Sequence, residues 1–395
     1  MELRAARGGI APSPHAGVGG NVLRAVLGYA GAPVALRRDG REATGLGLVE
    51  SWRRTVAPPG ALPLRPLRFS LVDVPDLRVL PWAFPGIGTV WMGAAPQPAA
   101  LHRLLSVLAL ARARLGLPSL APLAPLAGLA LSLARGGEDR GGMIVEVDGM
   151  RDGRPLRLSW HMVAEGADGP QIPSMAIEAL LRRTLAGDPP PPGARSGAGS
   201  LSLADYEALF ARRRIRSGWR EEGGEDRSAD APLYARLLGP AFAALPPSLR
   251  AFHGSPGLRW SGRAEVERGR GPLAALACRL FGFPPAGADL PVEVALSRDA
   301  GGREIWSRRF AGRPMRSAQE AGAGREARLL VERFGPFAFA LALVEEGGRL
   351  RLVPRRWRLG SLPLPRSLMP RGEAWEEECD GRFRFHVEIR LPLLG

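Results

Sequence analysis

Residues 382–391, RFRFHVEIRL, put Phe383, Phe385, Val387, Ile389 and Leu391 on one side of an extended chain. Arg382, Arg384, His386, Glu388 and Arg390 fall on the other. Side chains of a strand point alternately to opposite faces, so this pattern marks a strand with one face buried and one in water. The same period of two recurs upstream. Strands are expected at 258–268, 290–298, 303–311, 313–319, 325–334, 336–345, 349–359 and 371–379, with turns at Asp299-Ala-Gly-Gly302, Glu346-Gly-Gly348 and Asp380-Gly381. One helix interrupts them at 272–281, with Pro272 in its first turn, Leu273, Leu276, Ala277 and Leu280 on one face, and Gly282 behind it. Two short helical pieces lie between Pro232 and Arg250. About nine antiparallel strands with one or two helices predict a strongly curved sheet or partial barrel around an apolar interior.

Moving toward the N-terminus, REEGGEDRSAD (220–230) is polar enough to be a linker, which divides the chain into 1–219 and 231–395. The first part has a different rhythm. A hairpin is expected at 143–164, where Met143, Val145 and Val147 alternate on one arm and Leu156, Leu158, Trp160 and Met162 on the other, with Asp152-Gly153 in the turn. Ser174 is placed to cap a helix carrying the stripe Ile177, Leu180, Leu181, Thr184 and Leu185. Ser202 and Asp205 form a capping box for a helix reaching about Arg214. Further elements are a helix from Asn21 to Tyr29, a hairpin at Arg38-Asp39-Gly40, a strand at 86–95 and a helix at 98–115 with Leu101, Leu104, Leu105 and Leu108 on one face. The expected class is α+β, a mixed α/β domain followed by an antiparallel curved sheet.

Composition narrows the function classes. The chain has 395 residues, 54 basic against 39 acidic, and a net charge of +15; every basic residue is arginine. These arginines are interspersed with carboxylates, and their longest run is Arg212 to Arg214, so a solvated mixed-charge face is expected and no nucleic-acid partner. Cys278 and Cys379 are too few and too far apart for a disulfide framework or a zinc ribbon, and the expected compartment is the cytoplasm. Residues 115–134 run without a charge for the length of a bilayer span, but Pro118, Pro122 and Pro125 break a continuous helix. Buried or interfacial helices are expected there, with peripheral membrane contact left open.

The Pro-Asp-Leu run at 75–77, the hairpin at 142–165 and GADGPQIP (166–173) leading into a helix resemble the post-Rossmann portion of saccharopine-dehydrogenase-like oxidoreductases. That resemblance implies a substrate-side or dimerisation domain of an NAD(P)-dependent enzyme and hydride transfer at a C–N or carbonyl carbon. LYARLLGPAFAALPPSLRAFH (233–253), SGRAEVERGRGPLA (261–274), VERFGPFAF (331–339) and RWRLGSLPLPRSLMP (356–370) resemble an uncharacterised bacterial domain found behind such oxidoreductases. The nucleotide-binding half is not recognised here. No strand is read before Gly17-Val-Gly-Gly20, Pro12 and Pro14 precede it, and Val22 stands where a dinucleotide fingerprint needs its third glycine. No cofactor is therefore expected in this chain. NAD(P) belongs to the full-length family, and a nucleotide-binding domain on a separate or upstream polypeptide is the partner implied, with homodimerisation also open. Both ends of the chain read as cuts through a longer protein.

No catalytic residue is assigned. The five histidines are scattered without ligand spacing, HExxH is absent, and HGSPG (253–257) lacks the first glycine of a nucleophile elbow. The candidate ligand site lies in the β-rich part: Trp306, Arg309, Phe310, Arg316, Phe334, Trp357 and Glu373, with Trp260, Phe337 and Glu332 nearby. If the sheet curls, inward positions line a cavity for an apolar or amphipathic anionic ligand. The other reading is a filled aromatic core with ion pairs outside.

Overall fold

The computed structural model describes residues 2–133, 138–195, 197, 199–222, 231–255, 257–269 and 271–392. The chain forms two compact units, one of Met1–Pro58 and Pro63–Gly224, the other of Pro59–Leu62 and Glu225–Gly395. The class is α+β, a mixed sheet in the first unit and a curled antiparallel half-barrel in the second.

In the first unit β1 (Glu2–Ala11) leads through residues 12–19 into α1 (Gly20–Tyr29). β2 (Pro33–Arg38) and β3 (Arg41–Leu46) are the expected hairpin, turning on Asp39 and Gly40, both at positive φ. β4 (Ser51–Arg54), β5 (Leu67–Leu71), α2 (Asp76–Ala83), β6 (Thr89–Ala94), α3 (Ala99–Leu115) and α4 (Ala124–Leu133) follow. The long hairpin is β7 (Arg140–Arg151) with β8 (Arg154–Glu165); α5 (Ile172–Leu185), α6 (Leu203–Phe210) and β9 (Ile215–Glu222) complete the unit. The sheet order is β3-β2-β6-β1-β7-β8-β9, with β5 also on β6 and β4 on β5. β1 runs parallel to β6, setting Ala6 beside Val90, and antiparallel to β7, setting Gly9 beside Ile144. Phe69, Leu71, Ile87, Val90 and Ile144 are fully buried at its centre.

Several expectations are corrected here. A strand does precede Gly17-Val-Gly-Gly20. It was hidden because β1 packs through small residues: a Cβ on Gly9 would stand 2.6 Å from the Phe69 ring, and one on Gly8 would stand 2.5 Å from Met92 Sδ. In α5 the buried face is Met175 and Ala179, while Ile177, Leu181 and Leu185 point outward, 70%, 56% and 80% exposed. Ser174 sits inside the first turn, donating to Gln171 O at 2.7 Å, and Gln171 is the N-cap residue. In α3 the buried side is His102, Ser106 and Ala109, which leaves Leu104 and Leu108 in the open. The Ser202–Asp205 capping box is present, and α6 ends at Phe210. The expected linker begins inside β9, which continues to Glu222; residues 223–230 lie outside the described residues. Residues 115–133 hold a left-handed stop at Gly116, a 3-10 turn and α4. Among the described residues no helix is long and apolar enough to cross a membrane.

The second unit opens with α7 (Leu233–Leu238) and α8 (Pro247–Gly254), then β10 (Arg259–Val266) and α9 (Pro272–Leu280). Its sheet continues with β11 (Gly287–Arg298), β12 (Glu304–Phe310), β13 (Arg313–Ala321), β14 (Leu330–Phe334), β15 (Phe337–Glu346), β16 (Arg349–Leu359), β17 (Leu362–Pro363), β18 (Ala374–Cys379) and β19 (Arg382–Val387). Each strand pairs antiparallel with its neighbour in sequence, save that β18 bypasses the two-residue β17 to reach β16. α7 and α8 lie on the inner face, where Leu238, Leu249, Leu330 and Leu350 are buried together. On the outer face the small row Ala338, Ala340 and Ala342 packs with Leu62.

Candidate functional site

Alternation along β12 sends Glu304, Trp306, Arg308 and Phe310 to the inner face of the half-barrel and leaves Arg309 exposed on the other. The register sets Glu304 against Gln319, Trp306 against Ser317, and Gln319 against Glu332. Across the sheet Leu350 faces Glu376. Apolar positions and buried polar ones therefore share one inward row.

α7 and α8 close over this row with Tyr234 and His253, both buried and stacked at 3.7 Å between ring centroids. His253 Nε2 and Glu376 Oε2 are 2.6 Å apart. A carboxylate accepts, so Nε2 carries the proton, and Nδ1 has no hydrogen-bond partner among the described residues. The Tyr234 hydroxyl donates to Gln319 Oε1 at 3.2 Å. Burial, reinforced by the charges of Glu376, Glu332 and Glu304, pushes that phenol well above its ordinary range, so it remains a donor. Trp306 Nε1 donates to Glu304 Oε1 at 2.8 Å. Burial raises the Glu304 carboxyl, and the Trp306 hydrogen bond and nearby positive charge oppose this only in part. Ser317 Oγ donates to Glu332 Oε1 at 2.7 Å and accepts from Arg308 Nη1 at 2.9 Å, while Arg308 Nη2 reaches Glu332 at 3.3 Å. Each buried charge thus meets an opposite charge or a donor, which a low-dielectric interior requires.

The other end of the same face is open. Phe281, Phe283, Phe334, Phe337, Phe339 and Trp357 are half-buried there. Trp357 lies near-parallel to Phe337 at 6.4 Å and to Phe339 at 6.1 Å, and Phe281 approaches Phe337 at 4.9 Å. The Trp357 indole N–H donates to Pro365 O at 2.9 Å, which fixes the plane of the ring.

The candidate residues read from sequence therefore separate. Trp306 and Phe310 are buried on the inner face, and Phe334 and Trp357 belong to the half-open aromatic end. Arg309 and Arg316 are exposed on the opposite face, since each follows or precedes an inward residue. Glu373 lies apart, in a shallow groove of about 580 Å³ with Arg349, Trp375 and Glu377. There Arg349 sits over the Trp375 ring at 4.3 Å and bonds Glu377. Tyr234, His253, Glu304, Gln319 and Glu376 were missed. The signal for Glu304 and Gln319 was parity, since a polar residue at the same alternation as Trp306 or Ser317 also faces inward. Glu376 is placed by its register with Leu350, and Tyr234 and His253 by the packing of two helices, which strand alternation does not display.

The first unit holds a Ser–His–Glu arrangement with a different logic. His161 Nδ1 accepts from the Ala57 N–H at 3.2 Å, so Nε2 carries the proton toward Ser159 Oγ at 2.9 Å, and Ser159 donates onward to Glu222 Oε1 at 2.7 Å. A nucleophilic serine gives its proton to histidine. Here the serine's proton points away and both side chains are buried, so the trio ties β8 to β9. Among the described residues no group of three or more His, Cys, Asp or Glu side chains is arranged to hold a metal ion. Comparison with curated proteins finds no match to the chain. Residues 245–395, from the helix carrying His253 to the last strand, match a family described as a domain of unknown function (DUF4166).

Proposed function

We propose that the β-rich unit is a binding module that takes an apolar or amphipathic ligand on the aromatic end of its half-barrel. The observation that carries this is the row Phe281, Phe337, Trp357 and Phe339, left half-open where the rest of the inner face is filled. Flat rings offer a large contact area at small entropic cost, and their burial on binding drives association. Arg308 on this face is committed to Ser317 and Glu332, and the rings supply the contact area for recognition. Arg309 and Arg316 face away and contribute little. A brominated fatty acid, whose bromine quenches a tryptophan it touches, tests the reading. Part of the chain's emission is quenched on titration, Trp357→Phe removes that part, and Phe337→Ala weakens binding by about tenfold. Quenching that survives Trp357→Phe unchanged, or affinity indifferent to Phe337→Ala, overturns it.

A second reading is that the first unit is the substrate-side domain of an NAD(P)-dependent oxidoreductase similar to saccharopine dehydrogenases, working with a nucleotide-binding domain on another polypeptide. It is favoured by the residues of the resemblance, of which 142–165 form the β7–β8 hairpin of the mixed sheet and 166–173 the 3-10 turn leading into α5. On this reading NAD(P)H fluorescence does not respond to the chain alone and responds once that partner is added. A response to the chain alone, or none with the partner, rejects it.

A further inference from the structure

From residue 77 to residue 137 the sequence contains no Asp or Glu, and its charged residues are Arg78, Arg103, Arg112, Arg114 and Arg135. α3 and α4 lie within this stretch and expose an unusual share of large apolar side chains. In α4, Leu126, Leu129 and Leu133 recur at helical spacing and are 64%, 57% and 71% exposed. In α3, Val107 and Leu115 are 62% and 71% exposed. At 3.6 residues per turn, positions 103, 107 and 114 fall along one line of α3, so Arg103 and Arg114 border its outward apolar arc. Both arginines are exposed. Arg112 points inward and holds α3 to the end of α1 through Gly28 O and Ala30 O at 2.9 and 2.7 Å. Two helices pinned to the unit by one side and apolar on the other, whose own charged residues are all arginines, match a membrane–water interface.

We infer that the outward faces of α3 and α4 form a docking surface for an anionic lipid bilayer, with the leucines entering the acyl boundary and Arg103 and Arg114 meeting lipid phosphates. The absence of carboxylates from both helices selects this partner, because a second copy of this arginine-bordered face offers no comparable field of negative charge. Sedimentation of the full chain with phosphatidylcholine vesicles, with and without phosphatidylserine, is the test. Binding is expected to anionic vesicles, to fall in high salt, and to weaken about tenfold in Arg103→Glu/Arg114→Glu. Leu126→Glu/Leu129→Glu is expected to lose it; these positions are exposed, so an unchanged circular dichroism spectrum accompanies the loss. Equal binding to neutral and anionic vesicles, or indifference to either pair, overturns the inference. So does a homodimer that the leucine pair dissociates, since a second copy then covers the face.

Discussion

At the scale of single residues, His102 shows what burial does to a titratable group. It faces inward from α3, its Nε2 lies 2.9 Å from Ser70 Oγ, and burial, helped by the charge of Arg68, lowers its pKa to about 4. In the unfolded chain a histidine takes up its proton near pH 6.5. Between those two values the unfolded state binds a proton that the folded state refuses, so stability falls as the pH is lowered through this window. The full contribution is present above pH 6.5, and below about pH 4 there is no further loss. A decrease of about 2 kcal/mol across the window is expected after allowing for partial solvent screening. Urea midpoints at pH 7 and pH 4.5 measure it, and His102→Gln should flatten the difference. A slope unchanged in that variant places its origin elsewhere.

At the scale of elements, legibility follows from how each one is buried. β12 and β13 were readable because one face is covered and the other wetter, which imposes alternation on the sequence itself, whereas β14 and β15 are covered on both faces. The polar row within β12 and β13 was readable by the same parity, yet Glu304 and Gln319 were passed over because a buried polar side chain is rare without a partner, and partners come from other strands and helices. α5 misled for the opposite reason: its largest apolar residues face outward, and its contact is made by Met175 and Ala179. β1 carried no legible pattern, because ELRAARGGIA earns its place by lack of bulk. That claim has a sharp consequence. Phe69 is fully buried, so its ring has no room to retreat from a Cβ on Gly9 built 2.6 Å away. Gly9→Ala should destabilise the first unit by about 2 kcal/mol through overpacking. Gly9→Ala/Phe69→Leu should recover part of that in chemical denaturation, because the leucine vacates the plane of the ring. Additive losses in the pair would show that the ring is not the obstacle.

At the scale of the whole molecule, sequence order and compact unit do not coincide. A linear division near residues 220–230 leaves Pro59–Leu62 with the first part of the chain, whereas these residues belong to the second unit. Nothing in PPGALPL announces this, since a four-residue insertion into another unit has no period to display. Three contacts hold it. Gly60 O accepts from Glu345 N–H at 2.8 Å, Leu62 packs on the alanine row of β15, and Gly60, at φ +67°, brings its Cα against Ala241. An L side chain at this φ costs about 1–2 kcal/mol, and here its Cβ would also stand 2.7 Å from Ala241 Cβ. Gly60→Ala is therefore expected to destabilise the β-rich unit by about 3 kcal/mol, although it lies far from that unit in sequence. Amide hydrogen exchange at Glu345 and its β15 neighbours reads this directly, with β1 amides as an internal reference. Gly60→Ala/Ala241→Gly should restore the part due to the methyl contact and leave the part due to backbone strain. Exchange in β15 that is indifferent to Gly60→Ala would mean that Pro59–Leu62 lies on the unit without supporting it.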